Sequence, residues 1–67
     1  MPISARNQLK GTVKELTKDS IMAHVVVQAG DNEIESIITR RSAEELDLKP
    51  GDTVTAIIKS TEVMIQK

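Results

Sequence analysis

Eight polar side chains, set near the two ends and the middle of the chain, carry its most suggestive chemistry. Ser4, Arg6 and Asn7 offer a hydroxyl, a guanidinium and an amide. Lys59, Ser60 and Thr61 offer an ammonium and two hydroxyls, and Thr39 and Ser42 lie between these groups. Such donors, without a carboxylate among them, suit a small oxyanion. Ser42 also opens an S-x-x-E pattern, and a helix start presents backbone N–H groups and positive dipole to an anion. Each residue has a plain structural role too: Ser42 as a helix cap, Lys59 as an outward strand residue, Arg6 as a surface charge. Spacing alone leaves both readings open.

Other chemistries find less support. His24 is the single histidine and lies within a strand pattern, where a sheet face or a subunit contact explains it. With no cysteine there is no disulfide, no thiolate nucleophile and no thiolate metal site. Asp19, Asp31, Glu33, Glu35, Glu44, Glu45, Asp47 and Asp52 are scattered, with no spacing that suggests a catalytic dyad. General acid–base catalysis needs groups within hydrogen-bond reach of the reacting atom. The chain therefore reads as a non-enzyme that needs no cofactor.

The elements that would hold the donors follow from period-two patterning. Odd positions from Ile21 to Ala29 are all apolar, as are Val54, Ala56 and Ile58 within 53–59. Ile34, Ser36 and Ile38 mark a weaker strand. Leu9, Gly11 and Val13 share a parity that Glu15 breaks and Leu16 restores one step late, the signature of a β-bulge. Gly11 suits a tight bend. Val63 to Ile65 reads as a last short strand. Lys18-Asp19-Ser20 is a polar turn, Gly30-Asp31 a two-residue hairpin loop, and Lys49-Pro50-Gly51-Asp52 a type II turn. A helix of about two turns starts at Ser42 and runs past Leu46 towards Leu48. Three strands, a helix and two strands describe an all-β, OB-like five-stranded Greek-key barrel with one short helix between strands three and four, spanning residues 1–67 as a single domain.

Composition bounds the rest. The 67 residues contain 39% hydrophobic and 28% charged side chains and no aromatic residue. Apolar burial contributes on the order of 95 kcal/mol at about 25 cal/mol/Å². Ordering the chain costs about 100 kcal/mol at roughly 1.5 kcal/mol per residue. With these terms balanced and no disulfide, self-association is the expected remedy. The longest apolar run, Val25-Val26-Val27, is far too short to span a membrane, and Met1 to Arg6 shows no signal-peptide core. A cytoplasmic location is expected. The net charge of −1 and the missing aromatics argue against a nucleic-acid-binding barrel.

Ile3-Ser4-Ala5-Arg6-Asn7-Gln8-Leu9-Lys10-Gly11 and Lys59-Ser60-Thr61-Glu62-Val63-Met64 closely resemble the molbindins, small cytoplasmic molybdate-binding proteins built from one Mop domain. The resemblance covers essentially the whole chain. It implies the OB-like barrel, assembly as a homohexamer (a trimer of dimers) and molybdate or tungstate bound between subunits as an intact oxyanion, with no direct protein–metal ligand. By that resemblance, Ser4 and Arg6 come from one subunit. Thr39 and Ser42 of the T-x-x-S segment, with Lys59 and Ser60, come from a neighbour. The family makes no fixed use of Arg40 and Arg41, which either raise the local positive potential or solvate the surface. The implied function is molybdate buffering and storage in molybdenum homeostasis. Two alternatives remain: a ligand-sensing module acting on a partner protein, and a nucleic-acid-binding barrel.

Overall fold

A computed structural model describes residues 2–67. Four strands form one antiparallel sheet: β1 (Asn7–Lys18), β2 (Met22–Ala29), β3 (Asn32–Thr39) and β4 (Thr53–Ile58). A six-residue helix, α1 (Arg40–Glu45), joins β3 to β4, and a 3₁₀ turn spans Ser60–Glu62. The spatial order is β3-β2-β1-β4. The architecture is a small all-β, OB-like fold with a four-stranded sheet and a short helix. The fifth strand expected at Val63–Ile65 is not formed: those residues pair with no strand, and the side chains of Val63, Met64 and Ile65 are exposed. An alternating apolar pattern makes a strand only where an edge receives it.

β1 serves two partners. Its first half pairs with β4, from Asn7↔Ile58 to Thr12↔Thr53, and its second half pairs with β2, from Thr12↔Gln28 to Lys18↔Ala23. The register slips between Val13 and Glu15, leaving Lys14 as the extra residue. That bulge turns Leu16 to the same face as Val13, as the broken parity predicts. Val13, Val25 and Val27 form the buried centre, with Leu16, Ile34, Ile38, Leu48 and Val54 packed around them. Gly11 stands where β1 crosses β2 at close range. A Cβ there would lie 2.5 Å from the Gln28 carbonyl oxygen and 2.7 Å from Val27 Cγ1. Lack of space, more than a bend, explains this glycine.

The turns match their residues. Gly30 carries the positive φ of 61° that a two-residue type II′ hairpin needs at its first central position. Gly51, at φ 96°, fills the third position of the type II turn, closed by the Asp52 N–H on the Lys49 carbonyl at 3.1 Å. Hydrogen bonds from Val13 N to Asp52 O and from Gly51 N to Val13 O, at 2.9 and 2.8 Å, fasten that turn to the core strand.

The helix differs from its expected bounds at both ends. Thr39, not Ser42, is the N-cap: its Oγ1 accepts the Ser42 N–H at 3.0 Å. Thr39 already ends β3 in extended conformation, which is the backbone an N-cap requires. At the other end Asp47 adopts φ 52°, and the Asp47 and Leu48 N–H groups donate to the Glu44 and Ala43 carbonyls at 3.0 and 3.1 Å. This pair of bonds is a Schellman motif. It stops the helix before Leu46, which stays 67% exposed, and returns Leu48 to the core. Ile21 also departs from its parity. It precedes β2 in the Asp19 turn and is 70% exposed, whereas Val26, on the face away from the core, is buried between Glu15 and Glu35 in register.

Candidate functional site

The strand register sorts the candidate donors into two groups. Because Asn7 pairs with Ile58, the segments flanking that pair leave the sheet at the same end: Ser4 and Arg6 before β1, Lys59 and Ser60 after β4. The Asn7 side-chain amide donates to the Ile58 carbonyl at 3.2 Å and fixes the two strand ends to each other. Asn7, read as an anion donor from sequence, is thus engaged in holding the strands. Ser4, Arg6, Lys59 and Ser60 are exposed, and neither Arg6 nor Lys59 joins any ion pair found among the described residues. Two cations without a carboxylate partner therefore share one end of the sheet. Glu62 is the carboxylate nearest in the chain, within the 3₁₀ turn whose N–H donates to the Lys59 carbonyl at 2.9 Å.

Thr39 and Ser42 lie elsewhere. Thr39 pairs with Met22 at the start of β2, next to the Lys18↔Ala23 pair that ends β1. The twelve residues of β1 separate this corner from Arg6, by up to about 36 Å at roughly 3.3 Å per step. One copy of the chain does not bring all six residues together.

The corner is dense in hydrogen bonds. Thr39 Oγ1 donates to Ser42 Oγ at 2.8 Å while accepting the Ser42 N–H. The Arg40 N–H donates to the Ile21 carbonyl at 2.7 Å. The helix start thus offers less free backbone than sequence reasoning expects, and of the two hydroxyl hydrogens one is already shared. Asp19 organises the adjoining turn: its Oδ1 accepts the N–H groups of Met22 at 2.6 Å and Ile21 at 2.8 Å. These bonds, Met22 first, hold its carboxyl below the usual aspartate range, with a smaller contribution from the Arg40 charge. The arginines are compensated. Arg40 donates to the Asp19 carbonyl at 3.3 Å and pairs with Glu44 at 3.5 Å, and Arg41 pairs with Glu45 at 3.8 Å. They therefore read as local structure and solvated surface.

The remaining titratable groups give no catalytic arrangement. His24 Nε2 meets Glu35 Oε1 at 2.7 Å on the outer sheet face, diagonal to its in-register partner Ile37. Lys14 on the bulge pairs with Glu33, which raises the lysine pKa. Among the described residues, no group of three His, Cys, Asp or Glu is placed to hold a metal ion. No helix among the described residues is long and apolar enough to cross a membrane. A groove of about 630 Å³ opens between the unpaired edges of β3 and β4. It is floored by Val13, Val25 and Val27, and it holds Lys59 and Glu62 at its rim.

Comparison with known proteins agrees with this architecture. The TOBE domain model matches residues 3–65. The molybdenum-pterin-binding protein 1 of Clostridium pasteurianum is 59% identical over 66 residues, covering 97% of each chain. Among solved structures, a molybdate-binding protein from Sporomusa ovata superimposes with a TM-score of 0.95 at 46% identity, over the whole of both chains. The cytoplasmic molybdate-binding protein ModG, with molybdate bound, gives a TM-score of 0.84 at 39% identity, over 90% of this chain and 43% of that one.

Proposed function

The chain belongs to the TOBE-domain family, and from that premise we propose that it binds molybdate, or tungstate, as an intact oxyanion at sites shared between subunits of a homo-oligomer. It does so in the cytoplasm, to buffer and store the anion without converting it. The observation that carries this reading is that Arg6 and Lys59, which flank the Asn7↔Ile58 pair, are both exposed at one end of the sheet, two cations with no ion-pair partner among the described residues. Their combined charge matches that of a tetrahedral dianion. Ser4 and Ser60 flank them with hydroxyl donors.

The Thr39–Ser42 corner supplies further hydroxyls from a second copy. A site made of both groups must be intermolecular, because one chain holds them at opposite ends of β1. A homohexamer, as a trimer of dimers, repeats that arrangement around its symmetry axes. The oxyanion, rather than a pterin ring, is what the donors fit, since the chain has no aromatic side chain on which such a ring would stack. Sulfate has the same shape and charge, so selectivity falls to cavity size.

Isothermal titration of the protein with molybdate, tungstate and sulfate tests the proposal. Binding of molybdate or tungstate tighter than about 100 μM, roughly −5.5 kcal/mol, with weaker binding of sulfate, is expected. No binding of either metal oxyanion in that range would refute the function. Bound anion also raises stability by mass action, by about 2.7 kcal/mol per independent site at a hundredfold excess over Kd. A melting temperature indifferent to molybdate would contradict shared sites.

A further inference from the structure

We propose that Asn7 is a positioning residue of the oxyanion site, fixing the spacing of Arg6 and Lys59 before an anion arrives. The proposal rests on the oxyanion reading of those two cations. Asn7↔Ile58 is the outermost pair of the β1–β4 ladder, and Arg6 and Lys59 each lie one residue beyond it. Antiparallel partners stand about 4.5–5.5 Å apart at Cα, and each peptide step adds at most about 3.8 Å. A closed pair therefore keeps the Cα atoms of the two cations within roughly 13 Å of each other.

Two effects work against that closure. The last pair of a ladder frays most readily, and two like charges just beyond it repel each other. The Asn7 side chain opposes both, because its Nδ2 donates to the Ile58 carbonyl at 3.2 Å, between residues 51 positions apart in the chain. Asparagine is otherwise depleted in strands, so its place as the first residue of β1 calls for a specific role. Asn7 is half-buried while Arg6 and Lys59 are exposed, so the tether is sheltered and the charges are not.

Neutrality makes an amide the fitting group. A carboxylate at residue 7 would pair with Arg6 or Lys59 and repel a dianion, and a further cation would strengthen the repulsion. An amide ties the strands and leaves both charges to the anion. The adjoining backbone is tethered in the same manner. Gln8 Nε2 donates to the carbonyl of Ala5, which stands between Ser4 and Arg6, at 3.1 Å. On the other strand the Lys59 carbonyl accepts the Glu62 N–H at 2.9 Å. Fixed backbones with free side chains lower the ordering cost that binding must meet.

Titration with molybdate, together with NMR relaxation of backbone amides in the anion-free protein, provides the test. Asn7→Ala and Asn7→Leu, the second close to asparagine in shape, are each expected to weaken molybdate binding about tenfold. Without anion, order parameters of the Arg6 and Lys59 amides are expected to fall in both variants, while those of the core residues Val25 and Val27 stay unchanged. In an Arg6→Ala background, loss of the Asn7 amide should weaken binding by about twofold or less, because a single cation has no spacing to keep. A full tenfold loss there would make Asn7 an independent ligand and overturn the proposal. Unchanged order parameters, or undiminished affinity in both variants while the natural chain binds, would also overturn it and leave the oxyanion reading standing. A natural chain that binds no molybdate instead refutes the oxyanion reading, and the proposal falls with it.

Discussion

At one end of β1, Asp19, Ile21, Met22, Thr39, Arg40 and Ser42 are joined by hydrogen bonds of 2.6–3.3 Å, and each arginine has its own glutamate. At the other end, the side-chain amide of Asn7 holds the strands together, while Arg6 and Lys59 stand exposed, with no ion-pair partner among the described residues. The first region is internally satisfied, and in the proposed site it would contribute shape. The second retains charge without an ion-pair partner among the described residues, and there it would contribute attraction. The same twelve-residue strand carries both, so in the proposed shared site one copy would supply rigidity and another affinity.

Substitutions that separate the two contributions would sharpen this contrast, beginning with the largest effect. Arg6→Ala should weaken molybdate binding by about 10- to 100-fold, the equivalent of a charge-assisted hydrogen bond of roughly 1.5–3 kcal/mol. Its apo melting temperature should hardly move, because exposed side chains rarely contribute more than about 0.5 kcal/mol to stability. An Arg6→Ala protein that melts early but binds normally would reverse the assignment. Thr39→Ala should do the opposite to stability. Losing the N-cap costs about 1 kcal/mol, several degrees in a domain this small, and Thr39→Ser should recover most of the loss.

Ser42→Ala probes the corner's part in binding. Loss of one neutral hydrogen bond, about 1 kcal/mol, corresponds to roughly a fivefold weaker titration. An effect as large as that of Arg6→Ala would show that the corner supplies more than shape. The smallest effect is expected from acid. Asp19 has its folded pKa lowered by the N–H groups of Met22 and Ile21, so its contribution is complete above the unfolded aspartate value of about 3.9 and is lost as pH falls through the folded value. Melting curves between neutral and strongly acidic pH should therefore show Asp19→Asn to be less acid-sensitive than the natural chain. Parallel curves would remove Asp19 as the organiser of that corner.

Much of this contrast is legible in the amino-acid pattern. Alternation along 53–59 places Val54, Ala56 and Ile58 inward, and the parity slip around Glu15 marks the bulge, because side-chain direction in a strand is a local property. The Gly30-Asp31 and Pro50-Gly51 turns are local for the same reason. Illegible features depend on what lies opposite. Ile21 continues the apolar parity but loses its place in β2 to the Asp19 turn, which takes its N–H. Ser42 has the S-x-x-E pattern of a cap, yet the end of β3 gives that place to Thr39. Val63–Ile65 has the pattern of a strand but pairs with neither free edge of its own sheet. The candidate donors are recognisable by type, yet their division into two groups requires the Asn7↔Ile58 and Met22↔Thr39 pairings, which no sequence spacing expresses.

Gly11 carries this reasoning into mutational tolerance. In a saturation library it should be the glycine with the fewest viable replacements, because even a methyl group meets the Gln28 carbonyl at 2.5 Å across the β1–β2 crossing. Gly30 and Gly51 are limited by backbone angle alone, with nothing within 4 Å of an added Cβ, and asparagine tolerates positive φ better than most residues. Drift among distant members of such a fold should thus leave asparagine at the two turns and nothing but glycine at the crossing.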